Sequence, residues 1–230
     1  MLFRRPKVSC IIPVFNEAKT VSLVAETVLK SRWLDEVIFI NDGSSDETVQ
    51  ILEQFEQHPK CTVFSTSQNK GKGWAVSLGI SEAKHDLVLL CDADLQNLKE
   101  NHLKQLIETL KKHHCAMVIA SRNPLEGRVA RAFAWVSGER IFYRKNLRPE
   151  YLLLMKEAGN GMEQIINFVH RRKKVEFVVS NGVGHILKYQ KGSWKDWSSG
   201  YAKESWQFLK TEAKLRRIQL KLKVTDWLFD

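Results

Sequence analysis

The apolar positions of this chain follow two rhythms that take turns along its first half. "KVSCIIPVF" is a continuous apolar run with β-branched residues, the pattern of a strand buried on both faces. "NEAKTVSLVAETVLKS" follows, with Val21, Val24, Ala25, Val28 and Leu29 at helical spacing. A second buried strand, "EVIFIND", leads into a helix in "SSDETVQILEQFEQ", opened by Ser45 or Asp46 as cap. "CTVFSTS" supplies a third strand and "NKGKGWAVSLGISEAK" a glycine-rich turn into a helix. "DLVLLCDADL" is a fourth strand, "KENHLKQLIETLKKHH" a helix and "CAMVIAS" a fifth strand. Buried strands alternating with helices predict an α/β fold, a mostly parallel sheet covered by helices on both faces.

From about Arg122 this rhythm dissolves. "SRNPLEGRVARAFAWVSGERIFYRKNL" mixes basic and aromatic residues without a clear period. "GMEQIINFVHRRKKV" predicts a helix, and "EFVVSNGVGHILKYQKGS" a strand and loop. The end of the chain is helical in pattern and cationic, with seven Lys/Arg against two Glu over residues 201–223. Trp194, Trp197, Trp206, Phe208, Trp227 and Phe229 are interspersed with its lysines. Such a helix suits a membrane interface. It suits equally a helix that packs its apolar stripe on the domain and leaves its lysines in water. We take the packing arrangement as the expectation.

Composition narrows the classes. A chain of 230 residues, 43% hydrophobic and 27% charged, is ordinary for a globular protein, and no Pro/Gly/Ser-rich linker divides it. One domain over residues 1–230 is expected. The longest stretch without Asp, Glu, Lys or Arg is 177–187, far short of the roughly 18 residues of a membrane span. No secretory leader is expected, and the location expected is cytoplasmic, with peripheral contact at the membrane face as its extension. Cys10, Cys61, Cys91 and Cys115 have no CxxC spacing and read as small buried hydrophobes in a reducing compartment. The net charge of +10 favours an anionic partner: nucleotide phosphates, an anionic membrane or nucleic acid. The basic surplus lies late, and the RNP and helix-turn-helix patterns are absent, so no nucleic acid is expected.

Ligands of parallel sheets bind beyond the carboxyl ends of the strands, which puts residues 15–17, 41–44, 69–73 and 92–96 on one rim. Asp92 and Asp94 close the fourth strand with one alanine between them. Two carboxylates so placed repel, and a hard divalent cation, Mg²⁺ or Mn²⁺, would relieve that. Gln96 could add a carbonyl oxygen; the plain alternative is a solvated strand-end turn. "NKGKGWA" lacks the GxxxxGK[ST] and GxGxxG spacings, yet a Gly-Lys-Gly turn into a helix can set N–H groups and Lys72 near an anion. Alternatively Gly71 and Gly73 only permit a tight turn. Asp42 can accept from a ribose or a base, or cap an Asx turn. Glu17 at a helix N-terminus is favourable on dipole grounds alone. Glu163, after a glycine-rich loop at a helix start, can serve as general base towards a hydroxyl, or be a first-turn glutamate.

"IIPVFNE", "INDGSSDET", "NKGKGWAVSLGI" and "LCDADLQN", in this order and spacing, resemble the family 2 glycosyltransferases of the GT-A fold. "DADLQ" is similar to the dolichyl- and polyprenyl-phosphate sugar transferase type. The resemblance implies transfer of a hexose from a nucleoside-diphosphate sugar, UDP- or GDP-linked, with inversion at the sugar. It implies Pro13, Phe15, Glu17 and Asp42 in the nucleotide pocket with Lys72, and Asp92, Asp94 and Gln96 at the metal and diphosphate. It also implies that Arg122 of "ASR" grips the acceptor phosphate, and that "VSGERIFYRK" lies beneath the acceptor with Ser137. Arg131 and Lys188 join the acceptor-phosphate set, Glu163 faces the acceptor, and His185 is a late metal ligand or a structural histidine. Asp94, Glu163 and Arg122 form the implied catalytic set. Residues 1–122 then make the nucleotide-sugar half and 123–230 the acceptor half. Only about 15 residues separate Arg122 from Ser137, a short connection for a lipid acceptor. A soluble phosphorylated acceptor, as in the retaining glucosyl-phosphoglycerate synthases, is therefore the alternative. A nucleotidylyltransferase would need a glycine-rich loop after strand one, where "PVFNE" stands.

Overall fold

Strand β1 (Val8–Val14) and strand β2 (Glu36–Asp42) are apolar on both sides, and the fold uses both sides. Val8, Cys10, Ile12 and Val14 of β1, with Val37 and Phe39 of β2, enter one hydrophobic core. Ile11, Ile38 and Ile40 enter a second core across the sheet. The computed structural model describes residues 5–121, 137–185, 211 and 213–215 of the protein. In it, β1, α1 (Val21–Lys30), β2, α2 (Thr48–Glu53), β3 (Cys61–Thr66), α3 (Lys72–Glu82) and β4 (Leu87–Leu90) follow one another as the sequence pattern requires. A short β5 (Leu95–Gln96), α4 (Glu100–Lys112) and β6 (Met117–Ser121) complete this half. Beyond residue 136 come β7 (Arg140–Tyr143), α5 (Pro149–Ala158), α6 (Met162–His170), β8 (Val175–Val179) and β9 (Gly184–His185).

The main sheet has the order β3-β2-β1-β4-β7-β6-β8, and β5 pairs with β9 in a separate two-stranded ladder. Every strand of the main sheet runs parallel to its neighbours except β7, which is antiparallel to both β4 and β6. Helices α1, α2 and α4 cover the first core, and α3, α5 and α6 the second. The mostly parallel, two-sided α/β sheet expected from the sequence is thus present. The fourth strand ends at Leu90, earlier than the sequence reading has it, so Asp92 and Asp94 lie in the turn beyond it. The short strands β5 and β9 have no counterpart in that reading. Three further elements depart from it. The β7 strand lies inside the stretch that had no clear period, because its four residues are too short to reveal one. Helix α5 opens on Pro149 at its first turn, a favourable start that the surrounding basic residues obscured. Helix α1 begins at Val21, not near Glu17, because Asn16 adopts positive φ and the backbone N–H groups that follow are bonded to the next loop.

The opposite end of the sheet from the predicted rim is closed by a buried carboxylate. Glu36 accepts from Ser9 Oγ at 2.6 Å and from the Lys84 N–H at 2.9 Å, and its other oxygen pairs with Lys84 Nζ at 3.3 Å. Burial pushes its pKa up, but these partners outweigh that and hold it below the usual glutamate range. In the C-terminal segment Thr211 and Leu215 are buried, and Lys214 reaches Glu157 of α5 at 2.6 Å. These positions pack on the domain, as expected. The tryptophans and phenylalanines of that segment, and Arg122, Arg131 and Lys188, lie outside the described residues. Among the described residues no helix is long and apolar enough to cross a membrane.

Candidate active site

The carboxyl rim is assembled loop by loop from hydrogen bonds that the sequence motifs supply. After β1, the N–H groups of Asn16, Glu17 and Ala18 donate in succession to Ser44 Oγ, Thr48 Oγ1 and Asp46 Oδ2, at 2.9, 2.9 and 3.2 Å. Ser45 N–H returns a bond to Asn16 Oδ1 at 2.8 Å, and Asp46 Oδ1 also accepts the Thr48 N–H at 3.1 Å. Asp46 thus turns the chain into α2. The N-cap position itself is Glu47, which makes no side-chain cap bond, so neither Ser45 nor Asp46 is the cap expected from the sequence. The "NDGSSDET" polar run thus zips the loops after β1 and β2 together. Above this zip Phe15 is 44% exposed, an open aromatic face on the rim beside the partly buried Pro13. Glu17 sits in the turn before α1, where Thr20 Oγ1 lies 3.2 Å from its Oε2.

Asp42 ends β2 and is buried. Its Oδ1 accepts the Lys70 N–H at 2.8 Å and its Oδ2 the Gly71 N–H at 2.7 Å. The carboxylate thus fixes the loop that delivers helix α3. Gly73, in the first turn of α3, explains the second glycine of the motif. A Cβ there would stand 2.8 Å from the carbonyl oxygen of Gly159 and collide with that of Met155. The glycine lets α3 press against the end of α5, and Lys72 between the two glycines is aimed at the rim.

Lys72 brings the site together. Its Nζ lies 2.9 Å from Asp92 Oδ1 and 3.2 Å from Glu163 Oε1. Asp92 follows the end of β4, and Glu163 is the second residue of α6, so one ammonium joins a strand end to a helix start. Burial works against the lysine's charge, but the two carboxylates outweigh it and hold the ammonium above the usual lysine range. On its other side Asp92 meets Gly138, whose added Cβ would stand 2.7 Å from Asp92 Cγ and overlap Oδ2. Asp94 is two residues on, in the turn into β5, and is partly buried, while Gln96 is exposed. The β5–β9 ladder pairs Leu95 with His185 and Gln96 with Gly184, which brings the His185 backbone beside the acidic turn. Ser137 starts the segment leading to β7, and its hydroxyl donates to Glu139 Oε2 at 3.0 Å.

The sequence reading missed the group behind these carboxylates. Arg140, the first residue of β7, is fully buried. It donates from Nη1 to Asn167 Oδ1 of α6 at 2.7 Å, and from Nη2 to the carbonyl of Ser137. Burial draws its pKa below the usual arginine value, against the opposing pull of Glu163, Glu139 and Asp92. The signal that was available is the β-branched and aromatic run Ile141, Phe142 and Tyr143, which is strand-like once an arginine is allowed at its buried head.

Two cations set among three carboxylates, beyond the carboxyl ends of a parallel sheet, form an arrangement suited to a polyanionic ligand. Among the described residues no cluster of three or more His, Cys, Asp or Glu side chains forms a metal cage. Asp92 and Asp94 offer the one or two hard carboxylates that Mg²⁺ takes when a substrate's phosphates complete its shell.

Comparison with known proteins agrees. The sequence is similar to the dolichyl-phosphate beta-glucosyltransferase ALG5D of Trichomonas vaginalis, 32% identical over 152 residues, covering 57% of this chain and 46% of that protein. It is similar to the bactoprenol glucosyl transferase of Shigella phage SfV, 30% identical over 217 residues, covering 84% of this chain and 69% of that protein. The chain therefore spans less than half the length of the first relative and about two thirds of the second. In fold it resembles the glucosyl-3-phosphoglycerate synthase of Mycobacterium tuberculosis, solved with Mn²⁺, UDP-glucose and phosphoglyceric acid. That superposition has a TM-score of 0.68 at 19% identity and covers 90% of this chain and 79% of the other. The sequence pattern of the family described as "Glycosyl transferase family 2" matches residues 9–168, which run from β1 through Asp92, Lys72 and Glu163 into α6. With the GT-A sheet beneath that span and the acidic turn at its rim, the chain belongs to glycosyl transferase family 2.

Proposed function

We propose that this chain moves a hexose from a nucleoside-diphosphate sugar to a polyprenyl phosphate of the dolichyl or bactoprenol kind. The observation that carries the reading is the Lys72 bridge, which unites the strand-end carboxylate with the helix carrying Glu163. The relatives that act on dolichyl phosphate and bactoprenol support the acceptor class.

In this reading the donor lies across the rim between the loops after β1, β2 and β4. Phe15 and Pro13 face the base, while Asp42 and Glu17 shape the nucleotide pocket. Lys72 and Asp92 flank the diphosphate. A divalent ion held by Asp92 and Asp94, with Gln96 and His185 adjoining, would neutralise charge on the departing diphosphate. Lys72 and the basic residues expected on the acceptor side, Arg122, Arg131 and Lys188, supply further positive potential for the two phosphates. Ser137 is oriented by Glu139 next to the same carboxylate. An acceptor phosphate is already anionic at neutral pH, so Glu163 has no proton to remove from it. Its task is then to hold Lys72 and the start of α6 in place. Residues 1–122 act as the donor half, 123–230 as the acceptor half, with peripheral contact at an anionic membrane face.

A soluble phosphorylated acceptor is the second reading. It is favoured by the short connection before Ser137 and by the fold shared with the phosphoglycerate-type enzyme. The test is a screen of UDP- and GDP-sugars with Mg²⁺ or Mn²⁺, run with and without vesicles containing polyprenyl phosphate. Vesicle-dependent transfer that disappears in Asp94→Ala is expected. Transfer to soluble phosphoglycerate without vesicles would move the assignment to the second reading. Full activity in the presence of a chelator would overturn the metal role.

A further inference from the structure

Arg140 raises a physical problem of its own. A guanidinium stays charged in a protein, and taking it out of water is costly unless hydrogen bonds and countercharges compensate. Alternate residues of β7 face opposite cores: Ile141 enters the first and Phe142 the second. Arg140 shares the side of Phe142, beneath α6, which is where Asn167 meets it. On the same helix Glu163 is one turn before Asn167, so the helix that presents the acceptor-side carboxylate is bonded to the arginine four residues later.

The second bond acts on the opposite side. By holding the Ser137 carbonyl, Nη2 folds the segment 137–140 back over its own arginine. Gly138 is thereby laid against the Asp92 carboxylate, closer than any side chain would allow. Glu139 then turns to the other face and receives the Ser137 hydroxyl. The segment is a clip: pinned from below by Arg140, it buttresses Asp92 on the side away from Lys72.

We propose that Arg140 is a positioning residue of the transfer site, whose forked bonds to Asn167 and to the Ser137 carbonyl set the spacing between Asp92 and Glu163. A lysine cannot do this, since its single head group does not span two partners in a fixed plane. Supporting groups of this kind typically change metal affinity or activity by about 10- to 100-fold when removed. The inference rests on the proposed donor site for its binding readout, but its structural readout stands alone.

The test uses the full chain and the variants Arg140→Met, Arg140→Lys, Asn167→Ala and Gly138→Ala. Hydrogen exchange is followed at the amides of 137–139 and 92–96, with β1, β2 and β3 as reference. In Arg140→Met the clip and the acidic turn should exchange on the order of tenfold faster while the reference strands keep their protection. Arg140→Lys should not restore them. Calorimetry of UDP with Mn²⁺ should show affinity reduced by about tenfold or more in Arg140→Met and in Gly138→Ala, which keeps the arginine but displaces Asp92. If Arg140→Met fails to fold, Asn167→Ala carries the test and should loosen the clip by a smaller factor. Unchanged exchange at 137–139, uniform loosening of the whole sheet, or full rescue by lysine would each overturn the proposal. If the wild-type chain binds no nucleotide, the proposed function falls, while the exchange pattern still decides the role of Arg140.

Discussion

Replacing His170 with glutamine should remove much of the protein's sensitivity to acid between pH 7 and pH 5. His170 closes helix α6 and is fully buried. Its ring is fixed by a chain of bonds. Lys173 Nζ donates to Asn146 Oδ1 at 2.7 Å, so the Asn146 amide nitrogen faces His170 Nε2, at 3.1 Å. Nδ1 lies 2.8 Å from the Ile166 carbonyl and donates to it. Nε2 must then accept, and protonating it would set one N–H against another beside the cations of Lys173 and Arg140. Burial first, and then these two charges, lower the pKa from 6.5 to about 4, against the opposing bond to Ile166. The unfolded chain takes up the proton near pH 6.5 and the folded chain only near 4. The stability from the neutral ring is therefore complete above pH 6.5 and lost as the pH falls towards 4. Linkage puts that loss at about 2 kcal/mol by pH 5 and about 3 kcal/mol by pH 4. For a chain of this size, about 2 kcal/mol corresponds to a drop of roughly 4–8 °C in Tm. The assay is urea unfolding of wild type and His170→Gln at pH 7 and pH 5. The variant should lose less between the two conditions by about 2 kcal/mol. An identical acid loss in both would refute the reasoning.

Lys72→Met leaves two partly buried carboxylates facing each other without their shared cation. It should cost about 2–3 kcal/mol, between the values for exposed and buried pairs, and is read by thermal unfolding at pH 7.5. A Tm within a degree of wild type would count against the bridge. Glu163→Gln separates the acceptor classes. With a phosphate acceptor kcat should fall by less than about tenfold, whereas a hydroxyl acceptor that needs a general base would lose about 10²–10⁴. Asp46→Ala removes the acceptor of the Ala18 and Thr48 N–H groups and should cost about 1–3 kcal/mol in urea unfolding, with a weaker donor affinity measured by calorimetry.

The donor side was legible because each of its strands runs apolar for several residues and then breaks into a polar motif whose side chains bond locally. "NDGSSDET" can be read for its turn and cap, and the structure turns those same groups into the zip between two rim loops. The pairing of Lys72 with Glu163 was not legible. The two are 91 positions apart (163 − 72), and no local pattern states that α3 and α6 lie on the same face. Gly73 illustrates the same limit: its spacing looked like a turn or a phosphate cradle, and its reason is the approach of α5. Strand β7 was hidden for the opposite reason. An arginine at the head of a four-residue run argues against burial until the carboxylates that compensate it are known.

The position of β7 has a bearing on how the molecule is made. Strand β6 leaves the ribosome before β7, yet among the described residues it does not pair with the earlier strands, since β4 pairs with β7 and β7 joins β6 to β4. During synthesis β1 to β4 can dock while β6 waits as an orphan and the flank of β4 stays open to other chains. A chain cut after residue 122 would stop at that stage. The keystone of the sheet is made late, and it bears the arginine that braces the site, so joining β6 to β4 and bracing the site depend on the same strand.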